Sequence, residues 1–259
     1  MMFLLQIAAL LFGTIVGSFL NALLFRFNTG RSVAEGRSKC MHCAHTLFAF
    51  DLVPVFSYIL LRGRCRYCGA KISIQYPLVE VAAALLSLLV YLEHPTLLAY
   101  GFWFLVWMVL LFIVVYDLRH TVIPWSASGI LLVLSLVSLV VSFDTGEVFM
   151  FVPDVWSLLA GPILALPLIL LSAFSRGRLM GWGDGPLELS LGWLLGLTLG
   201  GTALMLSFWI GASLGILLIV FKKGLTMKSE LPFAPFLVVG ALIVHFFHVD
   251  FFYTLPFLW

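Results

Sequence analysis

The sequence predicts an all-α integral membrane protein of about eight transmembrane helices, with a cytosolic zinc-ribbon-like loop between the first and second. Three observations predict it. The 259 residues are 63% hydrophobic and 10% charged, with a mean hydropathy of +1.14, whereas a soluble domain carries about 25% charge. Apolar runs long enough to cross a roughly 30 Å hydrocarbon core recur along the chain. Lys and Arg are confined to alternate gaps between those runs. The net charge of +2 decides little by itself, because placement matters more.

The helices are expected at 2–24, 76–93, 97–116, 126–143, 155–174, 186–200, 202–221 and 233–250. The first run lacks a basic start and a small-residue cleavage site, so it reads as a retained helix rather than a signal peptide. The sixth is short and glycine-rich, and Gly200-Gly201 is expected to turn the chain tightly into the seventh. All 14 Lys and Arg fall in four segments: eight between Arg26 and Lys71, then Arg119, then Arg176 and Arg178, then Lys222, Lys223 and Lys228. The connections around Glu93-His94 and from Asp144 to Asp154 carry acids and no Lys or Arg. Positive charge stays cytosolic, so the basic connections should face the cytosol and both termini should face away. The expected domains are a first helix (1–24), a cytosolic metal-binding segment (25–75) and a transmembrane catalytic region (76–259).

Small residues recur at close spacing: Gly13 and Gly17; Gly192, Gly196 and Gly200; Gly211 and Gly215. They are expected to let helices pack closely in lipid. Trp156 and Trp259 read as interfacial anchors, and His245 and His248 as interfacial side chains. The basic loops suit anionic headgroups of membrane lipids. Nothing in the pattern calls for a nucleic-acid partner.

All four cysteines sit in the largest basic loop, as Cys40-Met-His-Cys43 and Cys65-Arg-Tyr-Cys68, with 21 residues between the pairs. Two CxxC knuckles at this spacing suit a tetrathiolate zinc site. Disulfides are the alternative, and the charge pattern places this loop in the reducing cytosol, where they are rare. Four ligands leave no open position, so the metal is expected to be structural. Arg37, Lys39, Arg64 and Arg66 are expected to favour the thiolates, and His42 and His45 to be solvated bystanders.

Two acids stand apart from the carboxylates of the loops. Asp117 ends the third helix in VVYDLRHTVIPWS, and Asp184 lies in GWGDGPLEL. Acids at membrane depth are functional suspects. Two aspartates meeting in one site can share a proton, one taking a proton from water while the other protonates the substrate, which is aspartyl protease chemistry. Gly181 and Gly183 are expected to allow close approach and positive φ, and Pro186 suits a first helical turn. A plain helix cap at Asp184 is the competing explanation.

These motifs together resemble the type IV prepilin peptidases, bacterial membrane aspartyl proteases of the GxGD class. The likeness runs through Gly17-Ser-Phe-Leu-Asn21 with Arg26, the twin CxxC, Asp51-Leu-Val-Pro54, Ser57 and Leu61-Arg-Gly-Arg-Cys65. It continues through Ile72 to Tyr76-Pro-Leu-Val-Glu80, Asp117-Leu-Arg-His-Thr-Val-Ile-Pro124, Gly181-Trp-Gly-Asp184 and Leu231-Pro-Phe-Ala-Pro-Phe236. The resemblance implies cleavage of the basic leader from prepilins or type II secretion pseudopilins, at the cytosolic face of the bacterial inner membrane. Asp117 and Asp184 would be the catalytic pair. It also implies N-methylation of the new N-terminus from S-adenosylmethionine.

For methylation there is no GxGxxG after a strand, so a donor site would be built from loop and helix ends. Glu80 is a candidate there or for positioning substrate, the alternative being an interfacial carboxylate satisfied by Arg26 or Lys71. Asn21 makes either an interhelical hydrogen bond or a substrate contact. The Gly-rich GWGD turn and the loop after Lys222 are expected to hold the leader unwound. The chain departs from the family pattern at Pro186, where a lysine is usual, at Trp125, and at Arg26-Phe27-Asn28, but keeps both aspartates. Two other classes compete: a non-catalytic zinc-ribbon scaffold that binds pilins, and a transporter with an acid pair in an ion path. A transporter would want its acids near mid-membrane, whereas these lie beside Arg119 and Arg178.

Overall fold

The computed structural model describes residues 2–29, 38–142, 149–221 and 232–253. Arg37, Asp144, Leu231, Trp259 and the loop of Lys222, Lys223 and Lys228 lie outside the described residues, so their expected roles are not addressed by the structure. The chain divides into two compact units, Met1–Leu111 and Phe112–Trp259.

The first unit holds α1 (Met2–Arg26), a 3-10 turn (Ala49–Leu52), the short α2 (Phe56–Leu60), α3 (Gln75–Glu93) and the start of α4 (Leu97–His120). The α1–α3 contact follows from its glycines. A Cβ placed on Gly13 would lie 2.6 Å from the Ala83 carbonyl, and one on Gly17 would lie 2.8 Å from the Ala83 Cβ. Lipid gives no hydrophobic drive to helix pairing, so this close backbone approach and its dispersion contacts hold the pair. Polar bonds add to it. The Ser87 hydroxyl donates to the Ala9 carbonyl at 2.6 Å, and the Tyr100 hydroxyl is 2.7 Å from the same serine oxygen. The Asn21 amide donates to the Tyr76 carbonyl at 3.0 Å, the interhelical option foreseen for it.

The second unit continues with the end of α4, α5 (Trp125–Val140), α6 (Val155–Ser175), α7 (Asp184–Phe221) and α8 (Ala234–Phe247). A two-stranded antiparallel ribbon, β1 (Val141–Ser142) with β2 (Phe149–Met150), ends α5 earlier than expected and is a small exception to an all-α fold. Helix α7 packs against α5, α6 and α8. Its Gly192 meets α6 at Gly161, where an added Cβ would lie 2.8 Å from the partner Cα.

Among the described residues, α1, α3, α4, α6 and α7 are long and apolar enough to cross a membrane, and α5 and α8 are shorter apolar helices. Helix α7 is itself two helices. Gly196 has φ 79° and ψ 179°, a conformation essentially confined to glycine. A Cβ on Gly200 would lie 3.5 Å from the Gly192 Cα, although eight residues of straight helix span about 12 Å. The chain therefore reverses at Gly196. This corrects the expected turn at Gly200-Gly201 and removes Gly196 from the packing glycines: nothing lies within 4 Å of its missing Cβ. With that reversal the eight expected apolar helices are all present.

Candidate active site and cysteine cluster

The aspartates reach each other through the loops around them. Asp117 lies in the last turn of α4, inside the helix rather than beyond its end. The Thr121 N–H closes that end onto the Asp117 carbonyl at 2.7 Å, and Thr121 adopts φ 53°. The chain then runs through Ile123 and Pro124 into α5. Asp184 is the first residue of α7. The turn before it sits on Ile123: a Cβ on Gly183 would lie 2.7 Å from the isoleucine Cβ. The Ser172 hydroxyl of α6 fastens the same turn by donating to the Gly181 carbonyl at 3.1 Å.

Asp117 and Asp184 are each only 4% exposed, and their carboxyl groups are within electrostatic reach of one another. The Asp117 carboxyl accepts the Ala234 backbone N–H from the start of α8, while its Oδ2 is buried without a hydrogen-bond partner among the described residues. Ala234 belongs to the late proline motif, so that motif supplies a donor to the first aspartate. The orphan amides of a helix's first turn are natural donors to a carboxylate. The Asp184 Oδ2 accepts the Gly181 N–H at 3.0 Å. This bond points back into the turn rather than forward along α7, so Asp184 closes the GWGD loop instead of capping amides ahead of it.

The glycines earn half of their expected role. Gly183 allows the close approach, but neither it nor Gly181 has positive φ; the left-handed residues are Arg176 and Gly177, just after α6. Pro186 falls in the first turn of α7, where its missing N–H has no intrahelical acceptor to lose. Sequence reasoning missed Glu188, one turn beyond Asp184. It is 2% exposed and makes no hydrogen bond or ion pair with a described residue. Its only signal was an acid inside a predicted apolar helix, four residues after the aspartate.

The four cysteine sulfurs lie within 4.8 Å of one another, with Cys40 and Cys68 Sγ atoms 3.9 Å apart. A tetrahedral set at a Zn–S length of about 2.3 Å puts sulfurs about 3.8 Å apart, so the cluster fits such an ion after slight contraction. The two knuckles repeat one design. The Ala44 N–H bonds the Cys40 carbonyl at 3.0 Å, and the Gly69 N–H bonds the Cys65 carbonyl at 2.9 Å. Ala44 and Gly69 both take positive φ, 57° and 72°. Asp51 ties the second knuckle to the turn at Phe48: it accepts Arg66 Nε at 2.7 Å, the Tyr67 hydroxyl at 3.1 Å and the Phe48 N–H at 3.2 Å.

Backbone donors, not the nearby arginines, activate the Cys40 thiol. The Cys43 and His42 N–H groups pull the Cys40 thiol down to about 6. At Cys68 the Ala70 N–H acts downward, but burial and the neighbouring thiols outweigh it and push the group up to about 12. Arg66 is committed to Asp51. His45 stacks on Tyr67 at 3.7 Å and stands outside the sulfur cluster, as does His42.

Glu80 is buried. Its Oε2 accepts the Val55 N–H at 2.7 Å, and the Ser18 hydroxyl is its other partner. Neither Arg26 nor Lys71 satisfies it.

A family model for the Bacterial Peptidase A24 N-terminal domain matches residues 11–94. A prepilin leader peptidase/N-methyltransferase of Burkholderia pseudomallei (strain 1026b) is 31% identical over 95% of this chain and 87% of its own length. One of Aeromonas hydrophila is 32% identical over 90% of this chain and 87% of its own. The chain belongs to the prepilin leader peptidase/N-methyltransferase family. A shorter likeness, 40% identical over 32% of this chain, is to a type 4 prepilin-like proteins leader peptide-processing enzyme of Escherichia coli O78:H11. No solved structure matches. Within this prepilin peptidase relative, the matched N-terminal domain includes all four cysteines and Glu80.

Proposed function

We propose that this protein is a membrane aspartyl endopeptidase that removes the leader from prepilins or type II secretion pseudopilins. It acts at the cytosolic face of the bacterial inner membrane and then N-methylates the new N-terminus. The observation that carries the reading is the pair of buried carboxyl groups, Asp117 and Asp184, brought together where Gly183 nests on Ile123. The names of the relatives support it.

The pair works as a unit holding one proton. One carboxylate takes a proton from a water as its oxygen attacks the scissile carbonyl carbon. The protonated partner gives its proton to the carbonyl oxygen. As the tetrahedral carbon collapses, one of its hydroxyls returns a proton to the partner carboxylate, the C–N bond breaks, and the departing amine takes the proton held by the first carboxyl. The Ala234 and Gly181 amides hold one oxygen of each carboxyl in place, leaving Asp117 Oδ2 without a partner among the described residues.

Zinc on Cys40, Cys43, Cys65 and Cys68 would hold the two knuckles as one body. Four thiolates leave no coordination position for substrate. S-adenosylmethionine is the methyl donor in this reading, supported by the N-methyltransferase in the relatives' names. Glu80 does not fit as a contact for it, because its carboxyl is buried and already holds Val55 and Ser18. The orientation rests on the confinement of Lys and Arg to alternate connections.

The test is leader cleavage in membranes that contain a prepilin, comparing the parent protein with Asp117→Asn and Asp184→Asn. Asparagine keeps the size and loses the exchangeable proton. Parent cleavage, with each variant folded, zinc-loaded and inactive, supports the protease. A parent inactive on several prepilins, or normal cleavage by either variant, supports the scaffold instead.

A further inference from the structure

Helix α2 shows its apolar face outward. Phe56, Ile59 and Leu60 share one stripe at i, i+3 and i+4 and are 64%, 64% and 81% exposed. Ser57, Tyr58 and Leu61 on the other side are half-buried. Phe50, in the adjoining 3-10 turn, is also exposed. A helix on a soluble surface has the opposite pattern, and an exposed apolar cluster of this kind marks an interaction site.

Helix α2 is tied to α3 at its start and to the segment that leads into α3 further on. At its start, the Val55 N–H is bonded to Glu80, in the second turn of α3. Val55 has φ 62° and ψ −51°, and the Phe56 N–H reaches the Pro54 carbonyl at 2.6 Å. This is a strained γ-turn, rare for a β-branched residue, and the buried Glu80 helps to hold it. At its end, the Tyr58 hydroxyl contacts the Ile72 carbonyl at 3.5 Å, and the Ile72 N–H donates to the Gly63 carbonyl at 2.8 Å. Helix α3 begins three residues after Ile72 and is long and apolar enough to span a membrane. The outward stripe of α2 therefore lies beside the start of that span.

Charge favours the same partner. Exposed Arg62, Arg64 and Lys71 follow α2, and no Asp or Glu occurs between Asp51 and Glu80. No ion pair engages these three among the described residues. Apolar side chains at the acyl boundary with cations at headgroup level are the makeup of an interfacial helix.

We propose that α2 is an interfacial helix that inserts Phe56, Ile59 and Leu60 into the lipid boundary beside α3, with Arg62, Arg64 and Lys71 on anionic headgroups. Glu80 is the positioning residue that sets its depth. The proposal rests on the reading of α3 as a membrane span, and the test separates the two.

A diazirine amino acid is placed at Phe56, at Leu60 or, as a reference, at Leu85, which is 53% exposed in the middle of α3. The full-length zinc-loaded protein is illuminated in nanodiscs of phosphatidylethanolamine and phosphatidylglycerol, alone and with a prepilin, and adducts are read by mass spectrometry. Lipid adducts at Phe56 and Leu60 comparable to those at Leu85 are the expected result. Glu80→Gln, which weakens the bond to Val55, lowers lipid adducts at Phe56 and leaves Leu85 unchanged. Replacing one of the three cations with Gln lowers the lipid adducts at Phe56 by up to about fivefold in anionic discs. Lipid adducts at Leu85 alone overturn the proposal and leave the membrane reading standing. Adducts of Phe56 or Leu60 with the prepilin, with a second copy or only with water also overturn it. Absence of lipid at all three positions overturns both readings.

Discussion

Gly183 faces Ile123 so closely that a methyl group on the glycine would lie 2.7 Å from the isoleucine Cβ. This contact joins the loop after Asp117 to the turn before Asp184. The nearest atoms are the branch point and stem of a buried side chain, which cannot swing aside. Gly183→Ala should therefore push the GWGD turn away and separate the carboxyls, where a displacement of about 1 Å can cost a hundredfold in rate. Prepilin cleavage should fall by about two orders of magnitude, with zinc content unchanged. The double variant Gly183→Ala with Ile123→Ala should regain part of the activity. No gain in the double variant would remove this contact as the cause.

Much of this arrangement was legible in the sequence because it depends on spacing and residue type. The twin CxxC indicated four converging sulfurs, and acids beside apolar runs indicated Asp117 and Asp184. What could not be read depends on backbone geometry and tertiary contact. Gly196 and Gly200 are equal as letters, and only the fold shows that Gly196 carries the reversal. Close approach and positive φ both ask for glycine, so the letters at 181 and 183 could not separate them. The amide that meets Asp117 belongs to Ala234, more than a hundred residues away, and a backbone N–H leaves no mark in a side-chain pattern. The arginines around the cysteines suggested thiolate activation, which at Cys40 comes from backbone amides.

Gly196 has open space where its Cβ would lie, so substitution there causes no clash. The penalty is conformational. At φ 79° and ψ 179° an alanine is strained by about 1–3 kcal/mol. Gly196→Ala should lower thermal stability in detergent by that order, while Gly101→Ala, also facing open space within a helix and without a positive φ, should not. Equal stability of the two variants would mean that the reversal does not depend on this glycine.

The cysteine cluster should exchange protons for metal. Thiolates bind zinc, so protons compete and affinity rises with pH until the ligands are ionised. The Cys40 thiol, at about 6 without metal, is largely ionised at pH 7.5. The Cys68 thiol, at about 12, is still protonated there and must release its proton on binding. Calorimetry of zinc added to metal-free protein at pH 7.5, in buffers of different ionisation enthalpy, should show release of at least one proton. Acidification should weaken zinc binding, because protons compete with the metal for the thiolates. Cys65→Ser should leave less than one zinc per chain. Binding with no proton release would contradict the tetrathiolate assignment.

Glu188 gives the sharpest test of which acids belong to the site. It is 2% exposed, one turn beyond Asp184 in α7, and no described residue pairs with it. A buried carboxyl without a partner destabilises the fold by about 1–3 kcal/mol relative to an apolar side chain of similar volume. Glu188→Leu should therefore raise the melting temperature, and cleavage should be retained because the water-activating chemistry is assigned to Asp117 and Asp184. Glu188→Gln keeps a polar group in the same place and should not raise stability. A stabilised Glu188→Leu protein that no longer cleaves, with activity kept in Glu188→Gln, would add Glu188 to the site through its hydrogen bonding. Loss of cleavage in both variants would add it through its proton.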